Sequence, residues 1–196
     1  MKLYLLIITV AMAVIAGINI ACEVASPLYV IIAVIFCVVL QVALDALAAL
    51  SVCFTPDRLY PADSPRFRVS EREKRIYIKL GVRVWKEKIP DLGGIAGFSK
   101  RKLKEPDNLA YVEKYIIECH KGVLIHRICY PLGLLVIPTL PNLCALTIGL
   151  PVAIINTLLH ILPAMALRYN TPMLLRILKR LKQNQVSTEK SALPSA

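Results

Sequence analysis

The amino-acid sequence predicts an all-α integral membrane protein with about four transmembrane helices and a cytoplasmic loop region that is amphipathic and helical. Hydrophobic residues make up 57% of the 196 residues, and the mean hydropathy is +0.61. The charged residues gather in two blocks that long apolar runs separate. This segregation is typical of chains that cross a bilayer, because the hydrocarbon region accepts few side chains other than apolar ones.

The formal net charge of +11 is concentrated beside the apolar runs. Between Thr55 and Gly122 there are 16 Lys/Arg and 10 Asp/Glu, and from Arg168 onward there are 6 and 1. Basic residues that flank apolar spans indicate the cytoplasmic side and favour contact with anionic head groups. We therefore expect a multi-pass protein of the cell membrane, with both termini cytoplasmic and with lipid rather than nucleic acid as its partner.

The first apolar run, Leu3 to Ala21, is interpreted as a retained transmembrane helix, and residues 1–27 as this helix with a short external turn. The alternative is a cleaved signal peptide, because Ile20-Ala21-Cys22 resembles part of a lipoprotein cleavage box. Asn19 stands where that box has an aliphatic residue, and a second apolar run follows almost at once. These two features favour the retained helix.

The second run, Leu28 to Phe54, is long enough to span a bilayer with some tilt. Gln41 and Asp45 lie four residues apart in this run and so share one helical face. An ionisable residue at this depth is costly and commonly faces protein or water. We count Asp45 among the candidate substrate-binding residues; a carboxylate that only hydrogen-bonds a neighbouring helix is the alternative.

The segment from Arg75 to Ile89 in the loop 55–122 fits two periodicities. At a period of 3.6 residues it carries a basic stripe and an apolar stripe. The basic stripe is Arg75, Lys79, Arg83 and Lys86, and the apolar stripe is Ile78, Val82, Trp85 and Ile89. At a period of two, apolar and polar residues alternate as in a strand. We favour a helix at the membrane surface that ends at Pro90, because Trp and basic residues suit that interface.

The rest of the loop contains a glycine-rich turn and the start of another helix. Asp91 to Gly97 is predicted to be a loop, and Ser99 to Lys104 is a basic cluster that is either solvated or bound to head groups. Asp107 is predicted to cap a helix that runs into the third apolar run.

The last two apolar runs, Val123 to Leu140 and Cys144 to Leu167, are predicted to be membrane segments. Prolines interrupt both runs, and the first is short once His126 and Arg127 are excluded, so it is either spanning or re-entrant. From Gln183 onward the chain is rich in Ser, Thr and Lys, and we predict a disordered cytoplasmic tail over 183–196.

Cysteine and histidine spacings predict no metal site. The six cysteines form no C-x-x-C pair and are interpreted as small apolar side chains at helix interfaces. His160, four residues after Asn156, is expected to hydrogen-bond another helix.

His126 follows Glu118 by eight residues, about 80° around a helix, so both could border one pocket. A histidine with a nearby carboxylate can deprotonate a hydroxyl at neutral pH; a hydrogen-bonded interfacial histidine is the alternative. At the exit of the last run stand Arg168, Tyr169 and Asn170, where Arg168 could bind a phosphate or carboxylate or serve as part of the basic cap on a membrane helix.

Four blocks of the sequence, in order, resemble one known family. The blocks are Tyr77 to Pro90 with Glu71 ahead of it, Gly97-Phe98-Ser99-Lys100-Arg101, Glu118 to His126, and Arg168 to Arg176. Together they are similar to the glycosyl-4,4'-diaponeurosporenoate acyltransferase family over roughly Gln41 to Lys182. The matching positions are Glu71, Trp85, Lys86, Glu118, His126, Arg168, Tyr169 and Asn170. Three positions depart: Val123 replaces an acid, Arg127 a tryptophan and Thr171 an arginine.

The resemblance implies a small membrane enzyme that esterifies a sugar hydroxyl of a lipid-linked glycoside, such as a glycosylated carotenoid, with a fatty acyl group. It makes residues 28–182 an acyltransferase-like core that needs no cofactor beyond an acyl-CoA or acyl-carrier thioester as co-substrate. His126, oriented by Glu118, would be the base, and Arg168 and Lys86 would hold the anionic part of the donor. Glu71, Trp85, Tyr169, Asn170 and Asp45 would complete the substrate site.

Two alternatives from other functional classes remain. A non-catalytic lipid-binding or enzyme-partner subunit would use the basic blocks only for head groups, and a small transporter would use Asp45 and His160 as a polar path. No serine or cysteine nucleophile stands out, which favours direct acyl transfer over a covalent acyl-enzyme. The sequence predicts no particular oligomeric state.

Overall fold

The structure, a computed structural model, describes residues 2–89, 98–100 and 102–192. Within these ranges the chain forms helices and no strand, which confirms the predicted all-α class. The α-helices are α1 (Lys2–Ala21), α2 (Pro27–Cys53), α3 (Glu71–Lys79), α4 (Val82–Trp85), α5 (Leu109–Gly133), α6 (Asn142–Cys144) and α7 (Leu150–Ala192). Short 3-10 turns cover Asp57–Leu59, Pro65–Phe67, Lys86–Lys88 and Leu134–Thr139, and a π-helical turn covers Ala145–Gly149.

Four of the described helical segments are long and apolar enough to cross a membrane, so the protein is a membrane protein, as predicted. They are Tyr4–Ala21, Pro27–Cys53, Leu109–Thr139 and Asn142–Ser187. The third and fourth segments are longer than the apolar runs that predicted them. Helix α5 continues through Pro131, and α7 continues through Pro163, so these prolines do not end their helices.

The chain divides into two compact units. The apolar unit consists of the residues up to Phe54 together with Leu124–Pro163, and the basic unit consists of Thr55–Val123 together with the residues from Ala164 onward. Helix α5 therefore contributes its first part to the basic unit and its last part to the apolar unit, and α7 contributes to both units as well.

The core of the apolar unit is built from α1, α2, α7 and the turn between α5 and α7. Its buried members include Ile15, Val34, Val136 and Ile148. Gly149 lies here because a β-carbon at this position would come within 3.1 Å of the Ile137 backbone. Asn19 on α1 is 1% exposed, and its side-chain nitrogen donates to the carbonyl of Thr147 at 3.0 Å. Helix α1 is thus an integral part of this core.

In the basic unit, α5 packs against α7 through a small core. Its buried residues are Val112, Tyr115, Ile116, Cys119, Leu174 and Leu178. Ser70 caps α3 with a hydroxyl that accepts from the Glu73 amide, and Gly81, directly before α4, has a φ of 63° that suits glycine.

The segment from Arg75 to Ile89 is helical, as favoured from sequence, but its faces differ from the prediction. Val82 is buried, whereas Ile78 is 60% exposed, so the predicted apolar stripe is not one face. The reason is the break at Gly81, which rotates α4 relative to the period of α3. Pro90 and the predicted loop Asp91–Gly97 lie outside the described residues.

Two helix ends also differ from the sequence predictions. The cap of α5 is Asn108, whose side-chain oxygen accepts from the Tyr111 amide at 3.1 Å, and not Asp107. Helix α7 includes residues 183–192 of the predicted disordered tail; the final four residues lie outside the described part.

Candidate functional site

Three helices of the apolar unit bring together two layers of side chains that are one helical turn apart. Helix α2 contributes Gln41 and Asp45, α5 contributes Gly133 and Cys129, and α7 contributes Asn156 and His160. Each pair is spaced by four residues and therefore shares a helical face. The first layer, which we call the relay layer, consists of Asp45, Cys129 and His160, together with His126, which bonds His160. The second, which we call the amide layer, consists of Gln41, Gly133 and Asn156.

Asp45 is the acceptor at the centre of the relay layer. Its Oδ1 accepts from Nε2 of Gln41 at 3.1 Å, and its Oδ2 lies 3.0 Å from Nε2 of His160. The sulfur of Cys129 lies within 4.8 Å of this carboxyl group. The hydrogen bond from Gln41 and the adjacent imidazole offset the cost of placing Asp45 among apolar helices.

His160 links Asp45 to His126. The Nδ1 atoms of the two imidazoles lie 2.9 Å apart. With the ring hydrogen of neutral His160 on Nε2, beside Asp45, the lone pair is on Nδ1, and in this tautomer His126 donates its Nδ1 hydrogen to it. The remaining ring nitrogen of His126, Nε2, then carries a lone pair and can accept a proton.

The ligand atoms of Asp45, Cys129 and His160 lie within 4.8 Å of one another. Oxygen, sulfur and nitrogen together form a donor set that suits zinc, although no metal site was predicted from the sequence. Metal ligands must be deprotonated, so a metal ion here would replace the Cys129 thiol hydrogen and the Nε2 hydrogen of His160. Without a metal ion, the imidazole and the carboxyl group are placed for proton transfer.

Three predicted substrate-binding residues meet in the basic unit. Nζ of Lys86 donates to Oδ1 of Asn170 at 2.6 Å and lies 5.1 Å from the ring centroid of Tyr169. The Lys86 side chain is 19% exposed, and Nζ is 3.9 Å from the Glu87 carboxylate. This cluster presents a partly accessible positive charge beside an aromatic ring and an amide, which is suited to an anionic group.

Arg168 has a different environment from the one the sequence suggested. Its Nε and Nη2 both donate to the Glu73 carboxylate, Nη2 at 2.6 Å, and Nη2 also donates to the carbonyl of Arg68 at 3.1 Å. Its side chain is 9% exposed. A bidentate, buried pair of this kind neutralises the guanidinium within the unit, whereas its buried Nη1 has no hydrogen-bonding partner among the described residues.

Tyr77 completes this cluster by donating its hydroxyl hydrogen to Glu73. Burial and the adjacent Glu73 carboxylate raise the pKa of Tyr77 to about 12. Burial alone would raise the pKa of Glu73, but the hydrogen bonds from Arg168 and Tyr77 outweigh it, so the Glu73 pKa lies below its usual value.

Glu118 belongs to a chain of ion pairs in the basic unit. Nζ of Lys114 lies 2.9 Å from Glu118 and 2.7 Å from Asp57, and Nζ of Lys121 lies 2.7 Å from Asp57. The hydrogen bonds from Lys114 and Lys121 hold the pKa of Asp57 below its usual value. His126, in the apolar unit, has His160 as its hydrogen-bonding partner.

Glu71 and Trp85, the remaining candidate positions, bond residues close to them in the chain. Glu71 is exposed and pairs with Lys74 at 3.5 Å, and the Trp85 indole donates to the carbonyl of Leu80 at 2.9 Å. Of the positions that depart from the family pattern, Val123 and Thr171 are buried and Arg127 is exposed.

The sequence did not indicate Cys129 or Glu73, and it suggested for His160 a bond to another helix or, in a transporter, a polar path with Asp45. The i to i+4 spacing of Glu73 with Tyr77, and of Asn156 with His160, was the available signal. Nothing local in the sequence connects His160 with Asp45, because 115 positions separate them.

Comparison with known proteins gives one match. The family model described as glycosyl-4,4'-diaponeurosporenoate acyltransferase matches residues 56–180. No curated protein and no solved structure matches the chain significantly.

Proposed function

Because the chain belongs to the glycosyl-4,4'-diaponeurosporenoate acyltransferase family, we propose that it transfers a fatty acyl group from a thioester donor to a sugar hydroxyl of a lipid-linked glycoside, such as a glycosylated carotenoid. The observation that supports this proposal best is the hydrogen-bonded series Asp45–His160–His126 inside the apolar unit. It provides an oriented base among helices that are apolar enough to surround a lipid substrate.

In this mechanism Nε2 of His126 accepts the proton of the acceptor hydroxyl. As the proton arrives, His126 can pass its Nδ1 hydrogen to Nδ1 of His160 across 2.9 Å. The positive charge then lies on His160, beside the Asp45 carboxylate. An imidazolium next to a carboxylate is stabilised in an apolar setting, so the charge that forms when the proton arrives has a partner. His160 thereby takes the orienting role that the sequence analysis gave to Glu118.

The reaction forms one ester bond and breaks one thioester bond. The acceptor oxygen attacks the acyl carbonyl carbon, the carbon–sulfur bond breaks, and the proton held by His126 passes to the departing thiolate. The products are the acylated glycoside and a free thiol. Direct transfer is the simplest sequence of steps, because the thiol of Cys129, the cysteine beside Asp45 and His160, is fully buried.

The donor requires a site for its charged part. Coenzyme A and carrier-protein thioesters both carry phosphate, and the partly exposed Lys86 beside Asn170 and Tyr169 is the group in the basic unit best suited to it. We assign Arg168 to the stability of this unit, because its bidentate pair with Glu73 occupies it. No cofactor is required by these steps.

We also propose that the protein resides in the cell membrane with both termini on the cytoplasmic side. The excess of Lys and Arg in 55–122 and after Arg168 supports this orientation. A cytoplasmic position for Lys86 would let it meet a thioester donor made in that compartment.

The experiment is an assay of thiol release from palmitoyl-CoA by the purified protein in nanodiscs that contain lipids extracted from the source cells. We expect release by the wild type together with a new esterified lipid. His126→Ala should reduce the rate by about 100-fold or more, and Arg127→Ala, an exposed neighbour on the same helix, should not. Equal rates for wild type and His126→Ala would contradict the mechanism. Absence of release with both acyl-CoA and acyl-carrier donors would favour the non-catalytic lipid-binding function.

A further inference from the structure

Two buried amide side chains in the amide layer each have one atom without a hydrogen-bonding partner. Gln41 is 4% exposed and Asn156 is 8% exposed. Among the described residues, Oε1 of Gln41 and Nδ2 of Asn156 have no partner. An unpaired polar atom in an apolar interior is costly, so two of them in one layer indicate a place where another polar group binds.

Both atoms lie beside Gly133 on α5, which has no side chain to separate them. A β-carbon at Gly133 would lie 3.3 Å from Nδ2 of Asn156 and 3.7 Å from Oε1 of Gln41. The two atoms are therefore at most about 7 Å apart, and they do not bond each other. One oxygen atom that bonds both would separate them by about 4.5–5 Å, which lies within this limit.

The orientation of the Gln41 amide is set by the relay layer. Because its Nε2 donates to Oδ1 of Asp45 at 3.1 Å, its Oε1 must face away from that carboxylate. The free atom of Gln41 is consequently an acceptor, and the free atom of Asn156 is a donor. A ligand group that satisfies both must donate one hydrogen and accept another.

A hydroxyl group has this property, whereas a carbonyl oxygen can only accept and an ammonium group can only donate. We propose that Gln41 and Asn156, on either side of Gly133, form a binding site for a hydroxyl of the glycoside acceptor. This inference rests on the proposed function and deepens it: the sugar is recognised one helical turn from Asp45 and His160, through the residue that also holds Asp45.

Two substitutions test this site without removing a relay residue. Asn156→Leu removes the donor but keeps the number and branching of the side-chain heavy atoms, and Gly133→Ala places a methyl group against both amides. Thr157→Val is the matched control, because Thr157 is the next residue on α7 and bonds only the carbonyl of Ala153, at 2.9 Å, in its own helix. Steady-state rates are measured in nanodiscs with palmitoyl-CoA as donor and a glucosyl diacylglycerol as acceptor.

For Asn156→Leu and Gly133→Ala we expect the KM for the glucosyl lipid to rise about tenfold or more. The KM for palmitoyl-CoA should stay as in the wild type. The melting temperature of Asn156→Leu should be unchanged or higher, because an unpaired buried amide has been removed. An unchanged acceptor KM would overturn the proposal and show that the amides hold only water. A fall in melting temperature together with loss of all activity would make Asn156 a structural residue, which also overturns it.

A second measurement needs no catalysis and so separates this site from the proposed function. The melting temperature of the wild type is compared in nanodiscs that contain glucosyl diacylglycerol and in nanodiscs that contain diacylglycerol. We expect stabilisation by the glucosyl lipid for the wild type and for Thr157→Val, but none for Asn156→Leu. If the wild type released no thiol yet showed this difference, the site would stand and the enzymatic function would fail. Equal melting temperatures of the wild type in the two lipids would refute the site.

Discussion

The Nδ1 atoms of His126 and His160 lie 2.9 Å apart, so an imidazole on α5 and an imidazole on α7 share one hydrogen. The direction of this bond follows from Asp45, because its Oδ2 lies 3.0 Å from Nε2 of His160. A ring hydrogen on Nε2 leaves Nδ1 of His160 as the acceptor. A histidine whose far nitrogen is oriented in this way is a better base than an isolated one. This relationship connects three helices of the apolar unit and motivates the first two predictions.

Asp45→Asn should reduce the rate of thiol release by about 100-fold or more. The asparagine amide can donate to Nε2 of His160, which would move the hydrogen of that ring to Nδ1 and reverse its bond with His126. The rate is measured with saturating palmitoyl-CoA and acceptor. Asp63→Asn, an exposed carboxylate of the basic unit, is the control. A rate near that of the wild type in Asp45→Asn would show that His126 works without the relay.

Cys129→Ala should keep acyl transfer within about threefold of the wild-type rate, because direct transfer uses no thiol nucleophile. The protein is incubated with radiolabelled palmitoyl-CoA, precipitated, and treated with neutral hydroxylamine, which cleaves thioesters. We expect no hydroxylamine-sensitive label on the wild type. Stoichiometric label that disappears in Cys129→Ala, together with loss of transfer, would instead establish a covalent acyl-cysteine.

Lys86→Met should raise the KM for palmitoyl-CoA by about tenfold, because it removes a charge that faces the phosphates of the donor. Palmitoyl-pantetheine lacks those phosphates and should be used equally well by the wild type and Lys86→Met. Lys88→Met, an exposed lysine two positions later, provides the control. If Lys86→Met raised the KM for both donors equally, Lys86 would act through its bond to Asn170 and the local structure rather than through its charge.

Arg168→Ala should lower the free energy of unfolding by about 3 kcal/mol, because it leaves the Glu73 carboxylate half-buried without its partner. Glu73→Gln in the same background should recover part of the loss. Stability is measured as the melting temperature in nanodiscs. Arg176→Ala, which removes an exposed arginine of α7, should have little effect. If Arg168→Ala kept the wild-type melting temperature and only raised the KM for the acyl donor, Arg168 would be a substrate-binding residue instead.

The low pKa of Glu73 predicts a loss of stability in acid. A carboxylate whose pKa is lower in the folded state stabilises the fold fully above its unfolded pKa, about 4.3, and this contribution disappears as the pH falls through the folded pKa. The melting temperature of the wild type should therefore be steady from about pH 7 to 5 and fall below about pH 4. Glu73→Gln should show a smaller fall over the same acid range; an identical fall would mean that other groups control it.

Helices and membrane segments were predictable from local pattern. The run from Leu28 to Phe54 predicted α2 within a residue at each end, because apolar length and helix formation depend on neighbours along the chain. The positions of Lys86, Tyr169 and Asn170 were identified through family blocks, and they meet in the basic unit. The cap of α5 at Asn108 and the break at Gly81 were harder to predict from the sequence, because each depends on the conformation of one residue.

The sequence by itself determined that this protein is helical, that it resides in a membrane, and that its candidate base is His126, because hydropathy, period and motif are properties of adjacent residues. Only the tertiary structure decided which faces of α2, α5 and α7 meet. That choice joins Asp45 to His160 and His160 to His126, places Gln41 and Asn156 around Gly133, and pairs Arg168 with Glu73. The physical reason is that a buried polar side chain needs a hydrogen-bonding partner. The sequence shows which side chains are polar, but the packing of the helices decides which of them become neighbours.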